Sequence, residues 1–92
     1  MSAEMFLKHA AIIVSERRAH YGAASTAMTA LATRWSVTLG HSVTPPQVVL
    51  CLIDLKLARL AHDPTHEDSA VDVCGYAAVL RELIETSAPE GR

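Results

Sequence analysis

Asp68 and Asp72 stand four residues apart, and Gly75 and Tyr76 follow at the same rhythm. In a helix that spacing puts both carboxylates on one face, where two like charges cost about 0.3 kcal/mol unless a cation lies between them. Gly75 leaves open space one turn on, and Tyr76 borders it with a ring and a hydroxyl, so the four positions describe one wall of a polar site. Lys56 and Arg59, three apart and on a shared helix face, can meet those acids or an anionic ligand such as phosphate. Asp54 projects about 200° away from Lys56. One of that pair therefore points into a polar pocket or a subunit interface. A plainer reading stays open, with Asp68 complementing a helix dipole, Asp72 paired to Lys56 or Arg59, and Gly75 permitting a close helix crossing.

The segment His62-Asp-Pro-Thr-His66-Glu-Asp68-Ser69 is the densest in metal-ligand types. Pro64 breaks the helix between the two histidines, so they lose the shared face of a zinc pair, and no cysteine lies nearby. Magnesium prefers carboxylates and water; Asp68 and Asp72 suit it better, with Asp54 as the extra acid to test and Glu67 as a further candidate. Ser69 lies three residues after His66 without a nucleophile elbow or oxyanion hole, and the four glycines are isolated, so neither covalent catalysis nor a glycine-rich phosphate loop is indicated.

Four helices must position these residues. Ser2 can cap the first, which carries Met5, Phe6, Ile12 and Ile13 on one side and ends at Tyr21-Gly22. A second, from about Ala24 to Leu39, presents Ala24, Met28, Leu31, Trp35 and Thr38 on a narrow face and stops at Gly40. Thr44-Pro45-Pro46-Gln47 is a capping box with proline in the first turn, and it opens a third helix apolar around most of its girth, which points to a central place. Asp63-Pro64 ends it. Thr65 or Asp68 opens a fourth, running to about Thr86 with Val71, Val79, Leu80, Leu83 and Ile84 buried. At 92 residues, half hydrophobic but 4% aromatic, the chain is expected to be a single all-α bundle over residues 1–86, with a disordered tail at 87–92. So much apolar surface on a small bundle points to a homo-oligomer, a symmetric dimer first.

A net charge of −2 and no basic cluster beyond Arg17-Arg18 argue against nucleic acid as a partner. The longest apolar run, residues 48–53, is too short to span a bilayer, and Glu4, Lys8 and His9 interrupt the order of a signal peptide, so a cytoplasmic location is expected. Cys51 and Cys74 sit in apolar stretches with no CxxC pattern and are expected to be buried, reduced thiols.

Tyr21-Gly22, Trp35, Thr44-Pro45, Leu55-Lys56-x-x-Arg59-Leu60 and His66-x-Asp68-Ser69-x-x-Asp72-x-x-Gly75-Tyr76 together resemble a small family of phage and prophage proteins of about this length. That family is similar to phage nucleotide-modification-associated domains and, more remotely, to MazG-like all-α nucleoside triphosphate pyrophosphatases. The resemblance implies helix-borne acids that bind magnesium, Asp68 and Asp72 matching the late acid pair, and phosphate contacts from Lys56 and Arg59. Two departures stand out. No Glu-Glu-x-x-Glu motif lies on an earlier helix, and Ala23-Ala24 replace an acid and a proline on what the resemblance makes the opposite wall. The leading expectation is a phage-type nucleotide- or phosphate-binding protein with a pocket lined by Lys56, Arg59, Asp68, Asp72 and Tyr76, Mg-dependent if it hydrolyses nucleoside triphosphates. A non-catalytic accessory protein that sequesters a nucleotide or blocks a host protein, and a structural homo-oligomer, are the alternatives.

Overall fold

The computed structural model describes residues 1–87 and contains four helices: α1 (Ala3–Tyr21), α2 (Ala24–Leu39), α3 (Pro45–His62) and α4 (Glu67–Ser87). Ser87 thus closes α4, and the remainder of the expected tail, 88–92, lies outside the described residues.

Local chemistry sets the helix ends. The Ser2 hydroxyl accepts the Met5 N–H at 3.2 Å, and Gly22, at φ 82°, turns the chain out of α1. Gly40 closes α2 in the left-handed region. At α3 the Thr44 hydroxyl accepts the Gln47 N–H at 3.3 Å while the Gln47 side chain accepts the Thr44 N–H at 2.9 Å. Both bonds use amides that the helix cannot pair itself. Thr44→Ala should therefore lower stability by about 1 kcal/mol, read as a shift in urea midpoint with an unchanged slope. Between α3 and α4 the Asp63 carboxylate accepts the Thr65 hydroxyl at 2.6 Å and the Thr65 N–H at 3.0 Å. Those bonds hold its pKa below the usual carboxylate range, with a smaller contribution from His66.

Met28 and Ala32 of α2, Val48 and Val49 of α3, and Val79 and Leu83 of α4 form the main buried cluster, with Trp35, Leu31, Leu52, Ile53 and Leu80 packed around it. α4 packs against all three other helices and is the central element. The sequence pattern pointed to α3 instead. That helix does bury one side, but Leu50, Leu55 and Leu57 on the other are about half exposed, since an apolar surface can remain open where the fold supplies no further helix to cover it. α1 turns Ala10 into the interior with Phe6, Ile13 and Val14 half-buried, and leaves Met5 and Ile12 outside. The small Ala10, rather than the bulkier Met5 and Ile12, allows the close approach to α4. Ile84 is likewise exposed. Of the two free thiols, Cys51 is exposed and Cys74 half-buried, because Cys51 lies on the open side of α3.

Candidate functional site

Asp72 is the hinge of the polar site. Its Oδ1 accepts a hydrogen bond from the Arg17 guanidinium at 2.8 Å, and its Oδ2 lies 3.0 Å from the Lys56 ammonium. The Asp72 and Lys56 side chains retain only 14% and 15% exposure, whereas Arg17 remains 53% exposed. Burial pushes the Asp72 carboxyl up, but the hydrogen bonds from Arg17 and Lys56 and their charges outweigh it, holding the pKa below the usual range. The hydrogen bond to Asp72 raises the Arg17 pKa further; burial works against it, and the charges of Asp72 and Asp68 add to it. Two cations flank the Asp72 carboxylate, the charge of Asp68 also acts on Arg17, and Arg17 reaches the surface.

Arg17 stands at the mouth of a cavity of about 220 Å³ between the end of α1, the start of α2 and the middle of α4. Val14, Arg17, Arg18 and Tyr21 supply one wall, Gly22 to Ala24 with Ala27 the second, and Asp72, Gly75, Tyr76 and Val79 the third. The lining is mainly apolar. The first turn of α2, whose N-cap Ala23 offers no side-chain capping bond, borders the cavity and brings the positive end of a 16-residue helix to it. Arg18, beside Arg17, is paired to Glu82 of α4.

Of the five residues expected in the pocket, Asp72 and Tyr76 line the cavity. Lys56 sits behind Asp72 and reaches the site through it. Asp68 is exposed and outside the lining, and it acts on Arg17 through its charge alone. Arg59 is exposed in a separate shallow groove with Leu55, His62, Asp63 and His66. The angle between positions 56 and 59, about 60° on a helix, is enough to put Lys56 under α4 and Arg59 beyond its edge. Arg17 is the member of this polar cluster that sequence reasoning missed.

The acids considered for magnesium, Asp54, Glu67, Asp68 and Asp72, are not assembled into one group of ligands. Asp54 is exposed on the open side of α3, opposite Lys56, and each Asp72 oxygen is taken by a cation. Among the described residues no group of three or more His, Cys, Asp or Glu could hold a metal ion. The residues present do not fit a magnesium cage. His66 and Ser69 do meet, at 2.7 Å between Nδ1 and Oγ, but Ser69 is fully buried and its N–H also donates to Nδ1. The pair closes the first turn of α4; it offers no accessible nucleophile.

Among the described residues no helix is long and apolar enough to cross a membrane. A family model described as a domain of unknown function (DUF6378) matches residues 4–84. The Gene 55 protein of Mycobacterium phage L5 is 37% identical over 73 residues, covering 78% of this chain and 47% of that protein, so the chain spans about half the length of this curated relative. No solved structure matches. The matched region contains α1 from its second residue, α2 and α3 whole, α4 nearly to its end, and every residue of the cavity wall; the chain belongs to the DUF6378 domain family, with a phage gene product among its relatives.

Proposed function

We propose that this protein binds a nucleotide, or a small organic phosphate, in the cavity between α1, α2 and α4, and does so without hydrolysing it. The observation that supports this reading is the half-exposed Arg17 guanidinium, fixed through one nitrogen by Asp72 at the mouth of a mainly apolar cavity. A phosphate takes the outward donors of Arg17, next to the uncapped turn of α2, and an apolar ring enters between Tyr76, Val14 and Val79. The cavity has room for one ring system, which leaves the phosphates at the rim. Lys56 and Asp72 are positioning residues here: they hold Arg17 and do not touch the ligand. The acids that would carry a metal do not converge, since Asp54 lies on the open side of α3 and both Asp72 oxygens are held by cations.

Calorimetry with nucleoside mono- and triphosphates and with inorganic phosphate, each with and without magnesium, tests it. Saturable binding is expected for a nucleotide, weakened tenfold or more in Arg17→Met, since a charge-assisted hydrogen bond contributes about 1.5 to 3 kcal/mol. Arg17→Lys should retain part of it. Silence from every nucleotide, or equal affinity in Arg17→Met, would sink the reading. Phosphate or pyrophosphate release in the same samples would overturn its non-catalytic half.

A further inference from the structure

We infer, on the reading of this cavity as a nucleotide site, that Arg18 is its second phosphate contact and that the ligand is a nucleoside diphosphate or triphosphate in preference to a monophosphate. Arg17 and Arg18 are neighbours on α1, and both line the cavity. Consecutive helix positions point about 100° apart, so the two side chains leave α1 in different directions. Each ends on its own acid of α4, Arg17 on Asp72 and Arg18 on Glu82.

Those acids lie about 15 Å apart along the helix axis. Between them come Gly75, Tyr76 and Val79, which with Asp72 make the α4 wall of the cavity. All five positions, Glu82 included, fall within one arc of about 120° on α4. The wall is therefore bracketed lengthwise by two arginine–carboxylate pairs, with the ring-sized apolar surface between them.

Neither acid uses up its guanidinium. Arg17 meets Asp72 through Nη1 and Arg18 meets Glu82 through Nη2, whereas a guanidinium carries five N–H donors in a planar fork. Both side chains remain about half exposed, so donors are left over for a ligand. The acids orient the two forks without closing them, and such forks match the oxygens of a phosphate. A monophosphate occupies Arg17 alone. A second phosphate extends the anion along the mouth towards Arg18 and adds a charge-assisted contact there.

Calorimetry in EDTA, which keeps divalent cations off the phosphates, compares adenosine monophosphate with adenosine diphosphate on each variant of the full chain. The wild type should bind the diphosphate about tenfold tighter, as one further charge-assisted hydrogen bond provides. Arg18→Met should make the two affinities equal and leave that for the monophosphate unchanged; Arg18→Lys should keep part of the preference. Arg34→Met removes the same charge outside the cavity lining and should keep all of it. Taking the ratio of two ligands on one variant cancels any loss of fold stability. Equal affinities in the wild type would overturn the role of Arg18 while leaving the nucleotide reading in place. A preference that survives in Arg18→Met, or that falls equally in Arg34→Met, would overturn it as well. Inorganic pyrophosphate brings no ring to the cavity and should bind more weakly than adenosine diphosphate; equal binding would assign the site to the free anion and overturn the nucleoside part. Silence from every ligand would overturn this inference together with the reading it rests on.

Discussion

Asp72→Ala should lower the stability of the fold by about 3 kcal/mol, a large share of the ~5 to 14 kcal/mol available to a chain of this length. The reason is what it leaves behind. Lys56 sits near the centre of the buried side of α3 at 15% exposure, and among the described residues Asp72 is the acid paired with it. Without that carboxylate an ammonium is left uncompensated at the junction of α3 and α4, and α1 loses the bond that ties Arg17 to α4. Lys56→Met should cost much less, because it replaces the ammonium with an apolar group of similar length. Combining Lys56→Met with Asp72→Ala should then recover more than half of the loss, a coupling that urea unfolding of the four variants measures. Additive losses would show that Lys56 finds other compensation and that Asp72 matters mainly through Arg17.

The same pair predicts a pH dependence. The folded-state pKa of Asp72 lies below the ordinary value of about 3.9, so its contribution is fully present above that value. It is lost as pH falls through the folded pKa. Stability of the wild type should therefore decline on acidification below about pH 4, with a shallower decline in Asp72→Asn, which has no proton to take up. Asp63, the other depressed carboxyl, is fully exposed in its turn and is present in both proteins, so it cancels in the comparison.

The helix ends were legible because each is written within five residues: Ser2 and Met5, Thr44 and Gln47, Gly40 after Leu39, Asp63 before Pro64. The site was half legible. Asp72, Gly75, Tyr76 and Lys56 were found because they sit on two helices that meet along their length. Arg17 was not, since its partner is 55 positions away and nothing local marks it. Bulk also misled the reading of α1. Met5 and Ile12 are its conspicuous apolar residues, yet Ala10, Val14, Arg17 and Tyr21, spaced by four, three and four, form the side that reaches α4 and the cavity. A small residue in register with an arginine is a weak signal, but it is the one that would have led there. For Arg59, helical spacing gave the direction and the edge of α4 gave the answer, and only the first is in the sequence.

Gly75→Leu should abolish ligand binding, a loss of at least a hundredfold, while leaving the chain folded. Two readings of Gly75 were open, a close helix crossing or an open space beside the acids, and the geometry separates them. A Cβ at this position meets Val14 Cγ2 at 3.4 Å, an ordinary contact at the end of a side chain, so the crossing of α1 and α4 does not require glycine. What the missing side chain leaves open is the cavity. Gly75→Ala should then stabilise the protein by about 0.5 to 1 kcal/mol, because a glycine inside a helix gives up that much relative to alanine. It should also weaken binding, since the methyl group enters the space between Val14 and Tyr76. Stability and affinity thus move in opposite directions in the alanine variant, read by urea unfolding and calorimetry on the same samples. A glycine kept for packing would give the reverse, a less stable Gly75→Ala with unchanged affinity. That outcome would leave the cavity a by-product of the way α1 meets α4, and would take from Arg17 the apolar surface against which it was proposed to hold a ligand.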